Sequence, residues 1–194
     1  MKNILLLTTG ILIAACTEAQ IPNKEEQIAA AVLAAPEEMR DGPMVYGFDA
    51  DGKLVTLQEG TNDLVCLADD PNIAGFNAAC YHKDLDAFMA RGRALKAEGK
   101  TSTEIFDMRE EEAKSGTLKM PDQPTTLHIL SGKEGKYNSE TGAVDGAAYR
   151  YVVYIPFATS ATTGLPTRPT APGHPWIMDP GTHKAHIMIT PPRD

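Results

Sequence analysis

Apolar and polar positions along this chain recur with two different periods, and each switch between them predicts a new element. From Glu25 to Ala35 helix formers dominate, with Ile28, Val32 and Leu33 able to share a face, which predicts a first helix ended by Pro36. Met44 to Phe48 and Lys53 to Leu57 flank Asp51-Gly52, a pair suited to the positive φ values of a tight primed turn, so a β-hairpin is expected. A third strand is expected over Asp63 to Ala68. The helical period returns between Lys83 and Ala97, where Leu85, Phe88, Met89, Gly92 and Leu95 fall near one face, and Gly99 stops the helix. Thr101-Ser102-Thr103-Glu104 fits a capping box, so a third helix should run to about Ser115. Gly116 is placed for a left-handed cap, and Glu110 with Lys114 forms an i,i+4 pair. Strand-like segments follow at Thr126 to Leu130, Ala148 to Pro156 and Ala185 to Thr190, separated by Gly-rich or Pro-rich turns. Strands on both sides of a helical insertion, without regular βαβ crossovers, predict a single α+β domain over residues 25–194. Its sheet should be mainly antiparallel, with about three helices.

The start of the chain follows a different pattern. Lys2 and the apolar run Ile4 to Ala15 read as a signal peptide. The run is about a dozen residues, whereas a spanning helix needs about 20, so a permanent transmembrane anchor is not expected. Leu12-Ile13-Ala14-Ala15-Cys16 resembles the lipobox of bacterial lipoproteins. The resemblance implies that residues 1–15 are removed and that Cys16 receives diacylglycerol and fatty acyl chains such as palmitate, becoming the new N-terminus. Several acyl chains anchor stably where one is marginal. Thr17 and Glu18 lack the aspartate that, in enterobacterial lipoproteins, retains the product at the inner membrane. The implied location is therefore the cell envelope, at the periplasmic face of the outer membrane in a Gram-negative organism. Residues 16–24 would be a lipid-proximal tether. The alternative is an ordinary signal peptide cleaved after Ala19, with small residues at Thr17 and Ala19, giving a soluble product. The bulk of Ile13 argues against ordinary cleavage after Ala15.

Composition narrows the classes of function. The chain has 194 residues, 42% hydrophobic and 23% charged, enough for one domain with a real core. With 18 basic and 26 acidic residues the formal charge is −8; loss of residues 1–15 removes only Lys2, leaving 17 against 26 and −9. No basic cluster is present to track phosphates, which argues against nucleic acid as a partner. The cysteine count of 3 is odd. One is Cys16; Cys66 and Cys80 enclose a turn-rich span of about 15 residues in which an exported domain can close a disulfide worth about 3 kcal/mol. Their spacing is far from C-x-x-C, so a redox role is disfavoured.

The densest candidate chemistry lies near the C-terminus. His174, His183 and His186, interleaved with Trp176, Met178, Asp179 and Met188, form a candidate ligand set for zinc or copper. If Lys184 to Thr190 is a strand, His183 and His186 point to opposite faces unless His183 lies in the turn Pro180-Gly181-Thr182. Ser160, Thr162 or Thr163 could meet His128 or His186 in a hydrolytic arrangement, but no G-x-S-x-G, H-E-x-x-H or P-loop pattern supports it. Asp49 to Gly52 reads as turn chemistry and Glu110 to Glu112 as a solvated helix face, without the EF-hand spacing. Pro166, Pro169, Pro172 and Pro175 recur every third residue, the polyproline II period, in a long excursion between strands. These features favour a lipid-anchored envelope protein acting as a binding or structural module, with no assignable catalysis or cofactor. Its partners would be the membrane, through the N-terminal lipid, and an envelope protein or small ligand at the C-terminal loop. The alternative is an envelope hydrolase or metal-dependent enzyme using the C-terminal histidines.

Overall fold

The computed structural model describes residues 21–192, so the expected leader, Cys16 and most of the tether lie outside the described residues. Helix α1 (Lys24–Val32) begins at Asn23, whose side chain accepts the Glu26 amide at 2.9 Å. Strands β1 (Met44–Phe48), β2 (Leu54–Gln58), β3 (Leu64–Leu67) and β4 (Phe76–His82) precede α2 (Asp86–Ala97) and α3 (Ser102–Ser115). The chain then returns to strands: β5 (Thr125–Gly132), the short pair β6 (Lys136–Asn138) and β7 (Ala143–Asp145), and β8 (Ala148–Tyr154). A single-turn helix α4 (Ser160–Thr163) leads to β9 (Trp176–Met178) and β10 (His186–Ile189).

Eight strands form one sheet in the order β2-β1-β3-β4-β5-β8-β10-β9, while β6 and β7 pair separately. Every pairing is antiparallel except β1 with β3. The architecture is therefore α+β and mainly antiparallel, with three longer helices, one short one and a Cys66–Cys80 disulfide.

The period of two sorts side chains to opposite faces. One face carries Val45, Leu64, Cys66, Phe76, Ala78, Cys80 and Leu130 against the alanines Ala30, Ala31, Ala34 and Ala35 of α1 and its end. Alanines let this helix lie close to the sheet. The other face carries Val65, Tyr81, Leu127, Val152, Tyr154 and Met188 against Leu85 and Phe88 near the start of α2. Among the described residues, no helix is long and apolar enough to cross a membrane.

Helix α3 matches its expected limits, because side chains define both ends. Thr101 and Glu104 form the reciprocal capping box, Gly116 adopts φ 78°, and Lys114 meets Glu110 at 2.6 Å. The first helix ends three residues early, at Val32 rather than Ala35. The expected second helix opens with a 3-10 turn, Lys83–Leu85, before α2 proper. In the hairpin, only Gly52 takes positive φ; the Asp49 carboxylate accepts the Asp51 and Lys53 amides at 3.0 and 2.9 Å and shapes a turn that is not primed. The largest correction is β4. The span between the cysteines is not all loop, and Cys66 lies directly opposite Cys80 on neighbouring strands. The helix face at Glu110 to Glu112 is not simply solvated either, since Glu110 pairs with Lys114 and His183 and Glu112 holds Arg91 at 2.6 Å.

Candidate functional site

The three C-terminal histidines go to three different partners. His183 lies in the turn before β10, fully buried, and Glu110 of α3 accepts both its backbone amide at 2.8 Å and its Nδ1 at 2.5 Å. Burial raises the affinity of Glu110 for a proton, but hydrogen bonds from Lys114 and from His183 outweigh it and bring the carboxyl down to about 2. An ionised carboxylate only accepts, so Nδ1 carries the proton. Burial also lowers the His183 pKa, opposed by Glu110, so the ring is neutral and Nε2 is left as a bare acceptor. Nε2 is buried without a hydrogen-bond partner, and the ring lies edge-on to Phe106 at 4.9 Å and Phe88 at 5.7 Å.

His186 opens β10, with Nδ1 on the Lys184 carbonyl at 2.7 Å and its ring 5.2 Å from that of Tyr154. His174 is exposed on the proline loop, with Nδ1 3.2 Å from Thr170 Oγ1. Among the described residues no group of three or more His, Cys, Asp or Glu side chains is placed to hold a metal. The hydroxyls of the hydrolytic arrangement are also engaged or isolated. Thr159, Thr162 and Thr163 cap the single turn of α4 among themselves, and Ser160 Oγ is buried without a partner. His128 instead sits on β5, opposite Tyr151.

The structure assembles a different site from the same stretch of chain. On β8, Arg150 shares a face with Val152 and Tyr154; the register extends that face through Met188 on β10 to Trp176 and Met178 on β9. Beyond the part of this face packed with α2, the segment from Pro169 to His174 stands over it and encloses an open groove of about 630 Å³. Its floor is Trp176, Met178 and Met188, with Arg150 and Thr190 among its polar lining. That volume suits a small organic ligand, for which pockets of roughly 300–1,000 Å³ are usual.

Arg150 distinguishes this groove from the others. Its Nε is buried without a hydrogen-bond partner, and it pairs with no carboxylate among the described residues. By contrast, a groove of about 400 Å³ beside α1 is lined by Gln27 and Asp69, which already bond Phe48 and the Asn77 amide. One of about 480 Å³ beside α2 is lined by Arg93, Lys96 and Asp70, which are paired within the protein.

Of the residues singled out in the sequence, His174, Trp176, Met178, Met188, Pro169 and Pro172 line the groove, whereas His183 and His186 do not. Arg150 was missed, although a signal for it exists: it falls on the same alternate positions as the buried Val152 and Tyr154, where a charge is out of place in a strand. Comparisons with protein-family models, curated proteins and solved structures give no match to this chain.

Proposed function

We propose that this chain is a lipid-anchored cell-envelope protein that binds a small ligand in the groove beneath its C-terminal proline loop. The anchor rests on residues 12–16 alone, where Leu12-Ile13-Ala14-Ala15-Cys16 resembles a lipobox. The binding role rests on one observation: a groove of about 630 Å³ with a Trp-Met-Met floor and an arginine whose charge no described residue neutralises. Apolar walls with a few convergent polar groups are the common form of a small-molecule site. No specific observation favours the hydrolase or metalloenzyme alternative, because the histidines take separate partners.

Each half of the proposal has its own test. The parent chain should fractionate with membranes and carry acyl mass on Cys16, and Cys16→Ser should abolish both. Membrane association unchanged in Cys16→Ser would overturn the anchor. Trp176 is the chain's single tryptophan, so its emission reports on the groove directly. Saturable quenching by the neutral dye N-phenyl-1-naphthylamine is expected; no quenching would overturn the binding role.

A further inference from the structure

The geometry points to an organic anion with an apolar body as the ligand of the groove, held through its charged group by Arg150; this inference rests on the ligand-binding role proposed above. Among the described residues, Arg91 and Arg93 pair with carboxylates, whereas Arg40, Arg109, Arg150 and Arg168 do not. Apart from Arg150, those that are partly buried are engaged. Arg91 holds Glu112 and Glu98, and Arg93 holds Asp86 and the Tyr81 hydroxyl. Arg109 lies over the Phe88 ring at 4.0 Å and donates to the Phe88 carbonyl, while Arg40 donates to the Ala35 and Leu33 carbonyls. Arg109 Nε is likewise buried and unbonded, but Arg150 alone of this set is placed on a sheet face, beside Trp176, Met178 and Met188, where its unbonded Nε adjoins a groove.

Arg150 is half-buried, and its Nε, shielded from solvent without a partner, is the part of the guanidinium whose lost hydration an oxyanion arriving in the groove would replace. Its planar fork of donors matches carboxylate, sulfonate or phosphate oxygens, and such charge-assisted bonds are the stronger ones. Thr190 and His174 add polar groups at the same groove. The rest of the floor is mainly apolar, an indole and two thioethers, which adapt to flat or branched apolar shapes. A cation is disfavoured by Arg150, and a purely polar anion would leave the Trp-Met-Met floor uncovered.

Two dyes with the same apolar body separate these elements: 1-anilinonaphthalene-8-sulfonate, which is anionic, and N-phenyl-1-naphthylamine, which is neutral. Both are titrated against Trp176 emission in the whole chain carrying Cys16→Ser, so that no acyl chain competes for them. The expected result is that Arg150→Gln weakens the sulfonate by about tenfold or more and leaves the neutral dye within about twofold. An unchanged sulfonate affinity in Arg150→Gln would overturn the anion assignment, while quenching by the neutral dye would leave the binding role standing. Absence of quenching by either dye would overturn both. If Arg150→Gln loses both dyes, Arg150→Lys decides: retained binding with preference for the sulfonate supports the assignment, and loss of both dyes again overturns it. Asp194→Asn should leave sulfonate affinity unchanged; a gain of about tenfold would mean that this side-chain carboxylate occupies Arg150, and would overturn it too.

Discussion

Glu110 ties the C-terminal turn to α3 by accepting from the His183 backbone, the His183 ring and Lys114 through one carboxylate. The acid sensitivity of this pin has a defined sign. The folded-state pKa of Glu110 is depressed from 4.5 to about 2, so its contribution is complete above the unfolded value and is lost as the pH falls from about 4.5 towards 2. Burial depresses the folded pKa of His183 as well, so its contribution begins to fall earlier, as the pH drops below its ordinary 6.5. Denaturation midpoints should therefore decline from mildly acidic pH downward. Glu110→Gln, which keeps an acceptor but not the charge, should cost about 1–3 kcal/mol at pH 7 and flatten the decline below pH 4.5. An acid limb identical to that of the parent protein would show that this carboxylate is not what titrates. The pair was not legible in the sequence, since Glu110 and His183 are 73 positions apart and each looks ordinary in its own segment. In the sequence the turn counts only as the condition under which His183 could converge with His186, and its partner is looked for among the other histidines.

At the level of elements, legibility followed local chemistry. The ends of α3 were readable because Thr101, Glu104 and Gly116 fix them through contacts within a few residues. Thr101→Ala should remove the cap and lower stability by about 1 kcal/mol, read as a shifted urea midpoint with unchanged slope. Strand β4 was not readable, for a physical reason. Its Phe76, Ala78 and Cys80 do alternate with exposed Asn77 and half-buried Ala79, but Tyr81 is buried on the opposite face and the alanines lack the β-branched signature of a strand. Between β3 and β4, Cys66 and Cys80 are cross-strand neighbours with no exposed surface. Thiol labelling of the unfolded, unreduced protein should find neither free. Replacing both with alanine should cost about 3 kcal/mol, the chain-entropy value for a loop of about 15 residues. The three-residue β9 was hidden by the prolines before it, and with it the floor of the groove.

Across the described molecule, Ile21, the first described residue, and the groove lie at opposite sides of the sheet. Ile21 lies at the β1–β2 turn, its Cδ1 3.9 Å from where a Cβ on Gly52 would stand, while the groove rests on β8, β10 and β9. Five strand spacings separate β1 from β10, or roughly 24 Å at about 4.8 Å each. An anchor at Cys16 would thus hold the molecule by its hairpin side and leave the groove at the far side. This arrangement depends on strand order, which neither periodicity nor composition encodes; the sequence supplied the fold class but not which side the loop would cover.

The two outer strands of the sheet are treated unequally. At β9, the outward amide of Ile177 is already taken by the Pro166 carbonyl at 2.9 Å, and the adjoining segment is rich in proline, which cannot extend a ladder. At β2, Leu54 is 41% exposed and no further strand follows among the described residues. Growth of this sheet by templating another chain, whether in a regulated assembly or in aggregation at high local density, is therefore confined to one direction. The side that carries the groove is closed to it.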